Sequence, residues 1–304
     1  MFVHPNEFEL LQHLEGPGRT PRDDGSDPEG QDGWRPLRVT VRNLGKRYGA
    51  HRVFKAFDLD IAAGEFVAVV GPSGVGKSTL LRILAGLERP SGEQGGLPAR
   101  SPVLFDNFPQ WASDDRVRLL FPDARLLPWK RVGQNVALGL PDTALARARA
   151  SEALRQVGLG GHGNDWPAQL TAAQRQRAAL ARALARRPGL LLLDEPSGGL
   201  DALTRIQAQA SLEQAWRRDG FTALLATQDV HEAVALADRI VVIEGGTAVF
   251  DERVELARPR APGSPAFAAL AARVLRAVLK EPDPPDAERP RAPVIQIRHL
   301  RLAV

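Results

Sequence analysis

Cysteine is absent from the 304 residues, which excludes a disulfide framework, a thiolate zinc site and a thiol nucleophile. No apolar run approaches the roughly 18 residues that a membrane-spanning helix needs, so any membrane role is expected to be peripheral. The opening residues, MFVHPNEFELLQHLEG, carry no basic flank followed by an apolar stretch, and no secretory leader is expected there. Lysine is scarce, with five residues, and arginine supplies nearly all of the positive charge. These arginines are interleaved with Asp and Glu to a net charge of only +4, as on an ordinary solvated surface. No dense basic run with interleaved aromatics occurs, so nucleic acid is not an expected partner.

Apolar residues make up 43% of the chain, enough for a sizeable core. Two stretches fall outside it. Residues 15–33 (EGPGRTPRDDGSDPEGQDG) and 280–293 (KEPDPPDAERPRAP) are too polar to offset the entropy of ordering and read as disordered. The final VIQIRHLRLAV echoes LRVTVRNLGKRY near the start, as an added edge strand or a remnant second copy would. Between them, strand and helix patterns alternate. LRVTVRNL alternates apolar and polar residues, while EFVAVV, GLLLLDEP and FTALLATQD are short apolar runs typical of buried strands. TALARARASEALRQVGL and AAQRQRAALARALARRP have helical composition, with Gly158 and Pro188 as stop signals. The alternation predicts an α/β fold with a mostly parallel sheet.

The strongest local signal is a phosphate-binding loop. Gly71, Pro72, Ser73, Gly74, Val75, Gly76, Lys77 and Ser78 match G-x-x-x-x-G-K-S without deviation, and Thr79 follows. A buried strand, Phe66 to Val70, precedes the loop, and the helical STLLRILAGL follows it. In that setting backbone N–H groups and the helix N-terminus receive phosphate oxygens. Lys77 is expected to reach the β- and γ-phosphates, and Ser78 to hold Mg²⁺. LLLLDEP supplies the matching half. Asp194 can hold the ion through water, and Glu195 is placed to orient or deprotonate an attacking water. SGEQGG (91–96) and GLGGHGN (158–164) lack the strand–helix context and read as plain turns, with His162 facing solvent.

With these motifs in order, the chain resembles the ATP-binding subunits of ABC transporters over residues 37 to about 250. Tyr48 in GKRYG occupies the place of the adenine-stacking aromatic. Leu170-Thr171-Ala172-Ala173-Gln174 occupies the place of the signature, and GGLDALTR contributes Asp201. RLLPW (125–129), NVALGL and LDALTR, with the tail PRAPGSPAFAALAARVLRAVL, are similar to the importer subunits for aliphatic sulfonates, taurine or nitrate.

The resemblance implies a P-loop NTPase core with a parallel sheet, an antiparallel β subdomain and a helical signature subdomain at about 123–187. An arm at 1–35 and a C-terminal extension with a helix and Pro-rich linker at 251–304 would flank the 36–250 domain. It implies ATP and Mg²⁺ as ligands and a second ATP-binding subunit, identical or not, whose signature residues complete each ATP site. It further implies integral membrane permease subunits contacted near Leu126 to Trp129, a periplasmic binding protein reached indirectly, and a place on the cytoplasmic face of the bacterial inner membrane.

Three positions depart from the family pattern. Thr171-Ala172-Ala173 replaces Ser-Gly-Gly, Pro122 stands where a Gln contacts metal and water, and Gln228 stands where a switch His meets the γ-phosphate. Thr171 to Gln174 still reads as a capping box with free backbone N–H groups, so an ordinary capped helix and a working signature both fit. Pro122 offers neither an amide side chain nor an N–H. Gln228 retains a hydrogen-bond donor but cannot titrate. His231, one turn later, is a conceivable substitute. An energising ATPase and a nucleotide-responsive regulatory or scaffold subunit with weak hydrolysis are therefore both carried forward.

Overall fold

The computed structural model describes residues 34–280 except 93–95 and 111. The expected arm at 15–33, the linker beyond Lys280 and the terminal VIQIRHLRLAV lie outside the described residues.

Two sheets form the frame. The first is antiparallel, with β1 (Val39–Tyr48), β2 (His51–Ile61), β4 (Val103–Phe105) and β5 (Phe108–Pro109) in the order β2-β1-β4-β5. The second has the order β10-β9-β3-β8-β7-β6. In it β3 (Phe66–Val70), β6 (Val117–Leu120), β7 (Leu190–Asp194), β8 (Thr222–Thr227) and β9 (Arg239–Glu244) run parallel, and β10 (Thr247–Arg253) closes the edge antiparallel. Helices α1 (Lys77–Leu84), α2 (Val132–Val136), α3 (Ala144–Gln156), α4 (Ala172–Ala185), α5 (Ala202–Asp219), α6 (Val230–Leu236) and α7 (Pro265–Leu279) complete the described elements.

The apolar runs are explained by burial on both faces. Phe66, Ala68 and Val70 of β3 join the core under the helices, while Val67 and Val69 face the other core, between the sheets. Likewise Leu191 and Leu193 of β7 point one way and Leu190 and Leu192 the other. Each of these leucines has no exposed surface, and truncating such a residue to Ala costs about 2–5 kcal/mol. α1 closes the inter-sheet core with Leu80, Leu81 and Leu84.

Between β6 and β7 lie α2, α3 and α4. The buried face of α4 is built mainly from alanines, among them Ala178, Ala179, Ala181 and Ala185, whose small side chains let neighbouring elements approach closely. α3 and α4 stop ahead of Gly158 and Pro188, as those residues suggested. At the other end, residue 250 falls inside β10, and α7 buries Phe267, Leu270 and Val274 in the helical-face core. The segment from 251 to 279 is therefore packed on the sheet.

Candidate functional site

Parallel strands bring their C-terminal ends to one edge of a sheet, and the register here makes the alignment close. Val70 is paired with Thr227, and Asp194 with Ala226. The three segments that leave β3, β7 and β8 therefore start within a residue of one another. They carry the loop 71–76, Asp194–Glu195 and Gln228, as in α/β sheets that bind ligands beyond the carboxyl ends of their strands.

The loop itself demands glycine where the chain turns. Gly74 has φ +82° and Gly76 has φ +112°, both disfavoured for residues with a Cβ. At Gly76 a Cβ would also lie 2.5 Å from Val53 Cγ1 and 3.0 Å from Phe54 Cζ. The loop thus rests directly on β2, and α1 begins at Lys77. The buried Lys77 ammonium folds back on the loop, donating to the carbonyls of Gly71 (2.7 Å) and Pro72 (2.9 Å). Burial lowers its pKa, opposed by the nearby carboxylates of Glu195 and Asp194. Ser78 Oγ donates to Asp194 Oδ1 at 2.8 Å. Burial raises the Asp194 pKa, with the Ser78 hydrogen bond acting the other way.

Glu195 follows directly in a left-handed conformation (φ 45°), its N–H donating to the Ala226 carbonyl at 2.8 Å. Gln228 Nε2 donates to Glu195 Oε1 at 2.6 Å. Two of the predicted residues, on different strands, thus touch. Tyr48 ends β1 with 46% of its surface exposed. Its phenol donates to Glu88 and lies against the Thr79 hydroxyl, and the Lys46 ammonium sits 4.7 Å from the ring centroid. Burial and the bond to Glu88 raise the phenol's pKa.

The signature residues lie elsewhere in the chain. Thr171 Oγ1 accepts from the Gln174 N–H (3.2 Å), and Gln174 Oε1 accepts from the Thr171 N–H (2.9 Å), the reciprocal box that the spacing predicted. Ala172 and Pro122 line a cavity of about 110 Å³ with Gly198, Gly199 and Leu200. Among the described residues no hydrogen bond or ion pair joins Thr171–Gln174 to residues 71–79. Asp201 caps α5 by accepting from the Thr204 N–H at 3.0 Å, which lowers its pKa.

One of two histidines is placed differently from expectation. His162 is half-buried instead of facing solvent. Its Nδ1 lies 2.7 Å from Asp165 Oδ2, and its Nε2 lies 3.5 Å from Gln174 Nε2, so the 158–164 turn buttresses the start of α4. His231 is no substitute at the phosphate edge. It is an exposed helix residue whose ring stacks on Phe267 of α7, 6.0 Å between centroids.

Other residues of this region were not singled out from sequence. Arg205 bonds Asp229 (3.1 Å) and the Leu200 carbonyl (3.3 Å), tying the segment that bears Asp201 to the turn that bears Gln228. Asp229 in turn caps α6. Gln176 donates to the Phe121 carbonyl, next to Pro122, at 3.2 Å. Glu232 is 2% exposed and accepts from Thr227 Oγ1 at 2.6 Å, and burial raises its pKa. Buried Asn135 shapes the 126–131 loop, accepting from the Leu127 N–H (2.7 Å) and donating to the carbonyls of Lys130 (2.9 Å) and Leu127 (3.1 Å). That loop leaves Trp129 70% exposed.

A phosphate loop at the end of a parallel strand, an Asp-Glu pair at the same sheet edge and a helical insertion that ends in a capped helix define an ABC-type nucleotide-binding domain. The ABC transporter family model matches residues 54–198. The aliphatic sulfonates import ATP-binding protein SsuB of Albidiferax ferrireducens is 51% identical over 274 residues, covering 88% of this chain and 95% of that protein. SsuB of Pseudomonas fluorescens is 53% identical over 260 residues, covering 86% and 93%. Among solved structures, the ATP-binding cassette MJ0796, a dimer in a post-hydrolysis state bound to ADP and Pi, is 31% identical with a TM-score of 0.61. The match covers 72% of this chain and all of that one. The chain belongs to the ABC transporter family of ATP-binding subunits.

Proposed function

We propose that this chain binds Mg-ATP at the 71–79 loop and couples its hydrolysis to the import of aliphatic sulfonates through membrane permease partners. The observation that carries the reading is the convergence of Lys77, Ser78, Asp194 and Glu195 at one sheet edge, in a chain more than half identical to aliphatic sulfonates import ATP-binding proteins. Lys77 exchanges its two carbonyl acceptors for β- and γ-phosphate oxygens. Gly74 and Gly76 let the loop N–H groups, those of Ser73 and Val75 among them, reach the phosphates. The exposed ring of Tyr48 offers a face to adenine.

The donor set fits Mg²⁺. A serine hydroxyl and one carboxylate lie within hydrogen-bond distance. Among the described residues no cluster of three acidic or histidine side chains would hold a metal alone. Mg²⁺ characteristically completes such a shell with phosphate oxygens and water. Ser78 would hold it directly and Asp194 through water, and the ion held there would supply positive charge against the phosphates. Glu195 orients or deprotonates the attacking water. Gln228 donates to its carboxylate at 2.6 Å and so holds the Glu195 side chain in place.

A second copy or a related subunit supplies Thr171, Ala172, Ala173 and Gln174 across the seam, with Asp201 at the contact. The loop that ends in Trp129 meets the permease at the cytoplasmic face of the inner membrane, and a periplasmic binding protein is reached only through that permease. Pro122, Ala172, Ala173 and Gln228 favour a second reading, a subunit that holds ATP and cleaves it slowly.

The test is steady-state ATP turnover of the purified chain beside Glu195→Gln. The expected result is loss of turnover with ATP binding retained. Unchanged turnover would remove Glu195 from the chemistry. ATP binding without turnover in the native chain itself would favour the second reading.

A further inference from the structure

A groove of about 1200 Å³ lies on the antiparallel sheet, walled by β1, β2 and residues 96–102. Tyr48, the 71–79 loop, Asp194, Glu195 and Gln228 do not line it, although two lining residues, Lys46 and Phe54, reach Tyr48 and Gly76 from the groove side. Its described lining carries six cations, Arg42, Lys46, Arg47, Arg52, Lys55 and Arg100, and no carboxylate. Two of the six are compensated from outside the groove, Arg42 by Asp60 (2.6 Å) and Lys46 by Glu88 (3.3 Å). Among the described residues, the side chains of Arg47, Arg52, Lys55 and Arg100 have no ion pair.

Two observations separate this groove from an ordinary solvated cationic face. Arg47 and Arg52 are direct partners in the β1–β2 ladder and line the same groove. Like charges opposite each other on one sheet face repel, so the pair is unfavourable unless an anion lies between them. In addition, Arg47 Nε is buried without a hydrogen-bond partner, as are Arg118 Nε and Arg205 Nε elsewhere, and of these three only that of Arg47 belongs to a groove-lining residue. The Arg47 backbone is held in place by its N–H donating to Ser91 Oγ at 3.2 Å. Leu97 and Pro102 add apolar surface beside the cations.

We propose that this groove is a second anion site, separate from the phosphate loop, that takes a small tetrahedral oxyanion of the sulfate, sulfonate or phosphate class between Arg47 and Arg52. A guanidinium presents two parallel N–H donors to such a group, so the facing arginines can engage different oxygens of one ion. The anion cancels the cross-strand repulsion and gives Arg47 Nε an acceptor. Arg100 contributes charge from the opposite wall.

The experiment uses the full chain saturated with Mg²⁺ and a non-hydrolysable ATP analogue, so that the phosphate loop is filled. Sodium sulfate, sodium methanesulfonate and sodium phosphate are titrated separately by calorimetry at low ionic strength. The proposal expects saturable binding of one anion per chain for at least one of the three, weakening as NaCl is added. The tightest of them identifies the source. Arg52→Gln, at an exposed position, should weaken that binding about tenfold or more, as loss of a charged hydrogen-bond partner does. Lys77→Ala, measured without nucleotide, should leave it in place.

With no anion present, Arg52→Gln should melt at the same temperature as the native chain or higher, because the repulsion is gone. The proposal is overturned by absence of saturable binding, by binding unchanged in Arg52→Gln, or by binding lost in Lys77→Ala. A lower melting temperature of anion-free Arg52→Gln also contradicts it.

Discussion

Replacing Gly76 by alanine tests how the phosphate loop is built. At φ +112° a Cβ is strained whatever the space around it, and the left-handed half of the map costs a non-glycine residue roughly 1–2 kcal/mol. Here the new methyl would also lie 2.5 Å from Val53 Cγ1 and 3.0 Å from Phe54 Cζ. Both side chains belong to the inter-sheet core and have little room to retreat. Overpacking of that kind adds about 1–3 kcal/mol. Gly76→Ala should therefore lose about 2–5 kcal/mol in all, a large part of an ordinary domain's stability.

Gly74→Ala is the control. Its φ of +82° brings strain, but no atom lies within 4 Å of the added Cβ. It should lose only about 1–2 kcal/mol. The assay is urea unfolding followed by tryptophan fluorescence, with binding of a fluorescent ATP analogue measured in the folded baseline. Equal losses in the two variants would refute the claim that the loop is seated on β2 through contact at Gly76.

Other perturbations address separate links. Thr171→Ala removes the side-chain half of the box that starts α4 and should cost about 1 kcal/mol, with faster amide exchange at Gln174. A helix start unchanged in exchange would contradict the capping geometry. Glu232 binds its proton more tightly when folded than when unfolded, because burial raises its pKa from the ordinary glutamate value of 4.5. The folded state therefore holds more protons above that pH, and stability falls as pH rises from 4.5 through the raised folded value. Glu232→Gln removes this contribution. Its unfolding free energy should decline less between pH 4.5 and 7 than that of the native chain, and an equally steep decline would show that Glu232 is already ionised in the fold.

What could be read from the sequence was whatever short-range pattern decides. The runs at 66–70 and 190–193 are apolar throughout because both faces of those strands are buried, and their endings place the loop and the Asp-Glu pair at one edge. The Thr171–Gln174 spacing is local too, and the reciprocal hydrogen bonds follow from it. What could not be read depends on distant partners. His162 looks like part of a Gly-rich turn until Gln174 is seen beside it, and His231 finds Phe267 across 36 positions of sequence. Glu232 is buried because α6 is wedged between the sheet and α7, a packing that no local pattern in the sequence reveals. The like-charged pair at Arg47 and Arg52 emerges only once the β1–β2 register is known, since the bulges in β1 shift that register.

The measurement that tests the central claim most directly is ATP turnover by the native chain beside a revertant carrying Pro122→Gln, Ala172→Gly, Ala173→Gly and Gln228→His, with ATP affinity determined for both. If Lys77, Ser78, Asp194 and Glu195 suffice with the residues now present at those four positions, the native chain turns over on the order of 1 s⁻¹ or faster, within about tenfold of the revertant. Equal ATP affinity with hydrolysis by the revertant alone would contradict that claim and leave the chain as a subunit that holds nucleotide without spending it.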